Sequence, residues 1–341
     1  MSNFKELQEK YELIEEQYKA LRDKYLELSR SKRKEIKEAL EEVKKQKHNL
    51  MILLEEEKLK EIEEDKLTPK LKKKLNKLHS KIDHEFWLEW TRSVWPFKET
   101  ESDAKTGLHP AQFSAKLPEI LIKFFSFVDD TVLDPFMGTG TTLEVARRLN
   151  RHSIGIDINP EFHDLTKRRL NGEFKHDLFE ISTENISKYE PKLILGDARN
   201  MHEIKDNSIQ LIVTHPPYWN AVRISDLEND LSNVEDDQYD VFLENMTMVF
   251  REMYRVLEPD RVAGVVIGDV MRKVNGVTQL YPIHVDFVNI ARQCGFIVWD
   301  IYIWETKIRT SGGKPLMGSY PYPHKIFSQF AHNYVLVFRK Q

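Results

Sequence analysis

Two stretches of the 341-residue chain combine residue types and spacings that suit chemistry. The first is Val132-Leu133-Asp134-Pro135-Phe136-Met137-Gly138-Thr139-Gly140-Thr141-Thr142. Gly138 and Gly140 let backbone pass close to a ligand at angles other side chains resist. The helix predicted to follow points its free N–H groups into the turn. With Asp157 ending the next predicted strand, this is a nucleoside-binding arrangement in which one carboxylate can take both ribose hydroxyls. Leu143 stands where the dinucleotide fingerprint needs its third glycine, and no Gly-Lys-Ser/Thr of a phosphate loop occurs. Asp134 adds a carboxylate that would repel a diphosphate and attract a cation, which favours S-adenosylmethionine, whose ammonium and sulfonium are positive. The second stretch is Thr214-His215-Pro216-Pro217-Tyr218-Trp219, at the end of the apolar run Leu211-Ile212-Val213. Paired prolines stiffen the backbone and have no N–H, so their carbonyls are left to accept hydrogen bonds. An exocyclic amine on a flat base needs such acceptors, and Tyr218 offers its ring a stacking partner. A base must leave its duplex stack to reach a site of this kind.

These residues need a scaffold, and from His109 onward the sequence supplies an α/β pattern. Helices are predicted over 117–125, 141–150, 239–257 and 283–294. Strands are predicted over 131–133, 153–158, 193–196, 211–214, 263–268, 297–304 and 334–338. Such alternation predicts a doubly wound, mainly parallel sheet. Residues 86–106, aromatic and then polar, read as a junction.

Before residue 85 the composition is different: rich in Lys and Glu, without glycine, and with Pro69 as the one proline. Leu7, Tyr11, Ile14, Tyr18, Leu21, Tyr25 and Leu28 alternate spacings of four and three, the seam of a coiled coil. A second run passes through Ile36, Leu40, Val43, Leu50 and Leu54. A third, opened by Pro69, holds Leu71, Leu75, Leu78 and Ile82. Residues 1–85 therefore read as a long-helix arm, forming an antiparallel hairpin, a coiled coil that joins a homodimer or partner protein, or an arm packed on its own body. Residues 86–341 form the second domain.

Composition limits the other classes. Cys294 is the single cysteine, which excludes an intrachain disulfide and a thiolate metal cluster, and no metal is expected. No run of 18 apolar residues and no signal-peptide pattern is present, so a cytoplasmic protein away from membranes is expected. Residues 1–80 carry 21 Lys+Arg against 18 Asp+Glu, and the remainder 30 against 37. An acidic body restricts any nucleic-acid contact to a local basic patch.

Residues from about 86 to 340 resemble the amino-methyltransferases of DNA, which modify cytosine N4 or adenine N6. The stretch from Val132 to Thr142 is similar to that family's cofactor motif, and Thr214 to Trp219 to its catalytic turn. His109-Pro110-Ala111-Gln112-Phe113 resembles the segment that covers the methionine end of the cofactor. Gly155-Ile156-Asp157-Ile158-Asn159-Pro160 resembles the ribose-binding strand end, and Gly196-Asp197-Ala198 the acidic turn near adenine. Gly318-Ser319-Tyr320-Pro321 and the closing 333–340 also look like family features.

The resemblance implies a Rossmann-like methyltransferase sheet. It implies a cofactor site of Phe113, Asp134, Phe136, Gly138, Gly140, Thr141, Asp157, Asn159, Asp197 and Ala198, and a catalytic set of His215, Pro216, Pro217 and Tyr218. His215 stands where the family usually has Ser, Asp or Asn. The neighbouring Thr and Trp and the Gly-Ser-Tyr-Pro stretch are closer to the Ser type, which points to cytosine N4 ahead of adenine N6. An RNA base methyltransferase and a coiled-coil scaffold with a degenerate domain are the other readings. DNA sequence would be read by 220–238 and 307–330, with Arg223, Lys307, Arg309, Lys314 and Lys325 as cations.

Overall fold

A computed structural model describes residues 2–27, parts of 36–51, 82, 84–96, 114–172, 188–306, 310–311, 314–315 and 330–341. Phe113 and the rest of 109–113, Leu28, Leu54, the third helical run before Ile82, Lys307, Arg309, 318–321 and Lys325 lie outside the described residues. The chain divides into two compact units, Met1–Lys81 and Ile82–Gln341.

In the first unit α1 spans Ser2–Glu27. Leu7, Tyr11, Ile14, Tyr18, Leu21 and Tyr25 are half-buried along it while most of their neighbours are exposed, so the four-three spacing does mark the covered stripe. Ile36, Leu40, Val43 and Leu50 are half-buried in helical residues of 36–51. Lys47 from that run pairs with Glu15, and its ammonium lies 5.0 Å from the Tyr18 ring. These contacts fold the second run back on α1.

The second unit is built on an eight-stranded sheet. Its strands are β1 (Val94–Trp95), β2 (Thr131–Asp134), β3 (His152–Asp157), β4 (Lys192–Leu195), β5 (Ile209–Thr214), β6 (Leu257–Ile267), β9 (Phe296–Glu305) and β12 (His332–Lys340). Two pairs stand apart from it, β7 (Val270–Val274) with β8 (Val277–Tyr281), and β10 (Thr310–Ser311) with β11 (Lys314–Pro315). The order across the sheet is β1-β9-β12-β6-β5-β2-β3-β4. Strands β2 to β6 are parallel, and β12 runs antiparallel between β6 and β9. The mixed order and the helices between strands make this the Rossmann-like, doubly wound sheet expected from the sequence.

The helices are α2 (His84–Trp90), α3 (Lys116–Phe125), α4 (Thr141–Arg148), α5 (Pro160–Leu170), α6 (Tyr239–Val256) and α7 (Ile283–Gln293). Alternate residues of the central strands feed two cores. Leu133, Ile212 and Val265 pack with Phe242, Phe250 and Phe287 of α6 and α7. Val132, Leu211 and Val213 pack with Phe86, Leu117, Ile120 and Val145 of α2, α3 and α4. A sheet covered on both faces needs apolar side chains of both parities, which is why Val132-Leu133 of β2 and Leu211-Ile212-Val213 of β5 are consecutive apolar residues. Residues 84–95 do more than join: Trp90 and Trp95 are buried, Trp95 Nε1 donates to the Trp90 carbonyl at 3.0 Å, and β1 pairs with β9 through Val94↔Ile303.

Candidate active site

Strand order reverses between β2 and β5, and in open parallel sheets ligands bind where strand ends diverge at such a switch point. The Gly138 turn leaves β2 and the His215 turn leaves β5, so two segments distant in sequence emerge from adjacent strand ends. Thr214 Oγ1 donates to Asp134 Oδ1 at 2.9 Å, with both side chains almost fully buried, and ties the turns together.

The turn after β2 is braced from three sides. Gly140, at φ +77°, precedes α4, and a Cβ there would come within 2.5 Å of Thr166 Cγ2 on α5. Thr166 Oγ1 donates to the Gly138 carbonyl at 2.7 Å. The buried Arg169 guanidinium donates to the Thr139 carbonyl at 3.0 Å and the Thr141 hydroxyl at 3.2 Å, and pairs with Glu144 at 2.7 Å. Asp157 Oδ2 accepts the Gly138 N–H and Oδ1 the Asn159 N–H, each at 2.9 Å. A carboxylate has about four acceptor positions, so two remain for ribose hydroxyls.

The turn after β5 is set by rigid backbone and ring packing. Pro216 and Pro217 are buried, whereas His215 and Tyr218 are half-exposed. Trp219 is fully buried at φ +52°, a left-handed conformation costly for a bulky residue, of order 1–2 kcal/mol. Its indole packs against Tyr239 and Tyr281 at 5.0 and 4.7 Å, and burying that surface offsets the strain. The Tyr218 ring runs past the end of β6, where a Cβ on Gly268 would lie 2.7 Å from it. His215 Nε2 sits 2.6 Å from the Tyr218 hydroxyl. That contact engages one of the two imidazole nitrogens.

A cavity opens between the turns. Its walls include Phe136, Gly138, Asp157, Asp197, Ala198, His215 and Pro217 from the expected set. Asp134, Gly140, Thr141, Asn159, Pro216 and Tyr218 are not on this wall. Asn159 instead caps α5, accepting the Glu161 N–H at 2.9 Å, and the Thr141 hydroxyl faces Arg169. The wall also includes Ile224, Asn229, Asp230 and Leu231, from a coil whose folding back leaves no local trace in sequence. Asp230 is buried and accepts from Ser225 Oγ, Ser232 N and Ser232 Oγ at 2.5–2.8 Å. Asp197 is held by Arg199, which also reaches the Asn229 carbonyl and so pins the coil to the turn after β4.

The electrostatics select the ligand. Among the described residues, three aspartates and no lysine or arginine line the cavity. Burial pushes the Asp157 carboxyl up to about 6, with the charges of Asp134 and Asp230 adding to the rise against two backbone N–H bonds. Burial also lifts Asp134 to about 6, opposed by Thr142, the Phe136 N–H and Thr214. Asp134 Oδ2 makes no regular hydrogen bond among the described residues. Carboxylates gathered around one cavity favour a cation-bearing ligand and disfavour a pyrophosphate. Phe136, Ile158, Ala198, Ile224 and Leu231 supply apolar surface for a flat ring. The residues fit S-adenosylmethionine.

Comparison with known proteins agrees. The model of the N6/N4 DNA methylase family matches residues 2–168 and 209–341, and the chain belongs to that family. The match takes in the helical N-terminal stretch, which the motifs read from sequence leave outside.

Among curated relatives, the chain is 33% identical over 171 residues to the type II methyltransferase M.MjaI of Methanocaldococcus jannaschii, covering 44% of this chain and 55% of that protein. It is 34% identical over 163 residues to the type II methyltransferase M.MthZI of Methanothermobacter thermautotrophicus, covering 44% of each. The matched stretch thus spans about half the length of these relatives. Among solved structures, a putative DNA modification methylase of Thermus thermophilus, complexed with S-adenosyl-L-methionine, is 28% identical over 42% of this chain and 53% of its own, with a TM-score of 0.32. Among the described residues no helix is long and apolar enough to cross a membrane.

Proposed function

We propose that the chain is an S-adenosylmethionine-dependent DNA methyltransferase that modifies the exocyclic amine of a flipped base, cytosine N4 ahead of adenine N6. The observation that carries this reading is the buried Thr214–Asp134 hydrogen bond, which joins the cofactor turn to the Pro-Pro-Tyr turn across one cavity. Asp157 and Asp197 bind the nucleoside part of the cofactor, and the Asp134 carboxylate supplies negative charge near its cationic end. When bound, the cofactor supplies a sulfonium methyl group. Tyr218 stacks the flipped base, while the Pro216 carbonyl and His215 accept hydrogen bonds from its amine. S-adenosylmethionine held there would supply the methyl group to the amine nitrogen, and one amine proton would leave to solvent or to His215. His215 matches neither type, and cytosine is favoured because the flanking Thr214 and Trp219 and the stretch Gly318-Ser319-Tyr320-Pro321 match the Ser type.

The test is transfer from labelled S-adenosylmethionine to unmethylated DNA, followed by nucleoside mass spectrometry. N4-methylcytosine is expected. N6-methyladenine would keep the site and correct the base, whereas label in RNA alone would end the DNA reading. Tyr218→Ala is expected to lose on the order of 100-fold in transfer, about 2.7 kcal/mol, with cofactor affinity retained; transfer at the wild-type rate would remove the stacking role.

A further inference from the structure

The hairpin β7–β8 is not accounted for by the site just described. It leaves the sheet two residues after Gly268, at the strand end beside Tyr218, and forms its own two-stranded ribbon. The turn Asn275-Gly276, with φ +50° and +83°, closes it tightly and fits the right-handed twist of the strands. Its root is fixed to the catalytic turn. Val270 is buried, Tyr281 packs on Trp219, and Arg272 donates to the Asn220 side chain and carbonyl, each at 3.0 Å.

The register then assigns its faces. Val270↔Tyr281, Arg272↔Gln279 and Val274↔Val277 share the face that carries these root contacts, and Met271↔Leu280 and Lys273↔Thr278 share the other. Lys273, Asn275, Thr278, Gln279 and Leu280 are exposed. Residues 270–281 hold Arg272 and Lys273 and no acid, in a unit that is acidic overall. By contrast 220–238, a candidate reader on sequence grounds, carries six carboxylates against Arg223, and its middle is committed to the cavity wall.

Resting on the DNA reading above, we propose that the β7–β8 ribbon reads duplex DNA from the major groove, with Lys273 on phosphate or guanine and Thr278 and Asn275 on base edges. Five residues per strand at about 3.4 Å each give a ribbon about 17 Å long. A two-stranded ribbon fits a groove about 12 Å wide. A base held at Tyr218 remains joined to its strand, so its flanking duplex must pass the elements rooted beside Tyr218, and this ribbon is one of them.

The experiment compares the wild type, Lys273→Ala and Thr278→Ala on short duplexes with a randomised centre, selected by binding and sequenced. Cofactor affinity, measured by calorimetry, is expected to stay unchanged and shows that the variants fold. Lys273→Ala should lower the salt slope of DNA binding by about one. Thr278→Ala should relax preference at one position by about tenfold. A photo-crosslinking side chain at Val277 should capture DNA. If the wild type methylates duplexes while both variants keep its slope and selected sequences, or if residue 277 crosslinks only protein, the ribbon is not a reader. If the wild type methylates no duplex, the DNA reading fails first and takes this inference with it.

Discussion

The turns that leave β2 and β5 lie side by side but are held by different forces. The first hangs in a web of buried polar contacts from Asp157, Thr166 and Arg169, so its shape depends on groups outside it. The second carries its own stiffness in two prolines and is wedged by Trp219, packed on Tyr239 and Tyr281. A turn that offers its backbone to a ligand needs outside support. A turn proposed to present its side chains to a base gains from rigidity that leaves His215 and Tyr218 half-exposed.

Arg169→Ala tests the first kind of support most severely. It would leave Glu144 with Arg148 alone and strip the donors from Thr139 and Thr141, costing about 3–5 kcal/mol as a broken buried pair does. Thermal unfolding should show a large drop, and a variant as stable as the wild type would mean the web is redundant. Asp157→Ala should weaken cofactor binding by on the order of 100-fold, about 2.7 kcal/mol, because it removes a ligand and leaves the Gly138 N–H unpaired.

The pH dependence sharpens the same point. Asp157 rises from its ordinary 3.8 to about 6, so between those values the folded chain binds more protons than the unfolded one. Its burial therefore costs stability above about pH 6, and that cost is gone below about pH 4. A cation-bearing ligand draws the ionised form, so cofactor affinity should fall as pH drops through 6, with protons released on binding near that pH. Calorimetry in buffers of different ionisation enthalpy reads this directly, and proton-neutral binding at pH 6 would contradict it.

Gly268→Ala attacks the second turn, pressing on Tyr218 and on the Asn333 side chain of β12. A methyl 2.7 Å from the Tyr218 ring should displace it and cost about tenfold in transfer, with cofactor affinity unchanged. Loss of cofactor binding instead would show that the two turns move as one. The smallest effect is expected at the seam, where Thr214→Val removes one hydrogen bond to Asp134, worth about 1 kcal/mol in unfolding free energy.

The first turn was legible because its signals are local: an apolar strand, two glycines, a helix and Asp157 at the next strand end. The residues that brace it were not, since Thr166 and Arg169 are ordinary helix residues until α5 packs on the turn. Phe136, Asp157, Asp197 and His215 meet in one cavity, as their motifs imply. Asp230 and Leu231 join them only because a coil folds back, and no periodicity announces that. The Asn275-Gly276 turn is a strong hairpin signal, yet its strands are short and β8 is almost wholly exposed, so hydrophobic pattern alone passes over them. Residues 86–106 read as a junction because aromatic clusters without period do not distinguish a linker from a buried edge.

The position of β12 sets an order on folding. Strands β2 to β6 can assemble from neighbouring segments and already hold both turns. β9 has no partner in that group and joins it only when β12, far later in the chain than β6, inserts between them. Contacts of such long sequence separation form slowly, because chain entropy is lost before they are gained. Pulse-labelled hydrogen exchange should therefore find the amides of β2 and β3 protected before those of β9, with the site's frame standing while one edge of the sheet is still open.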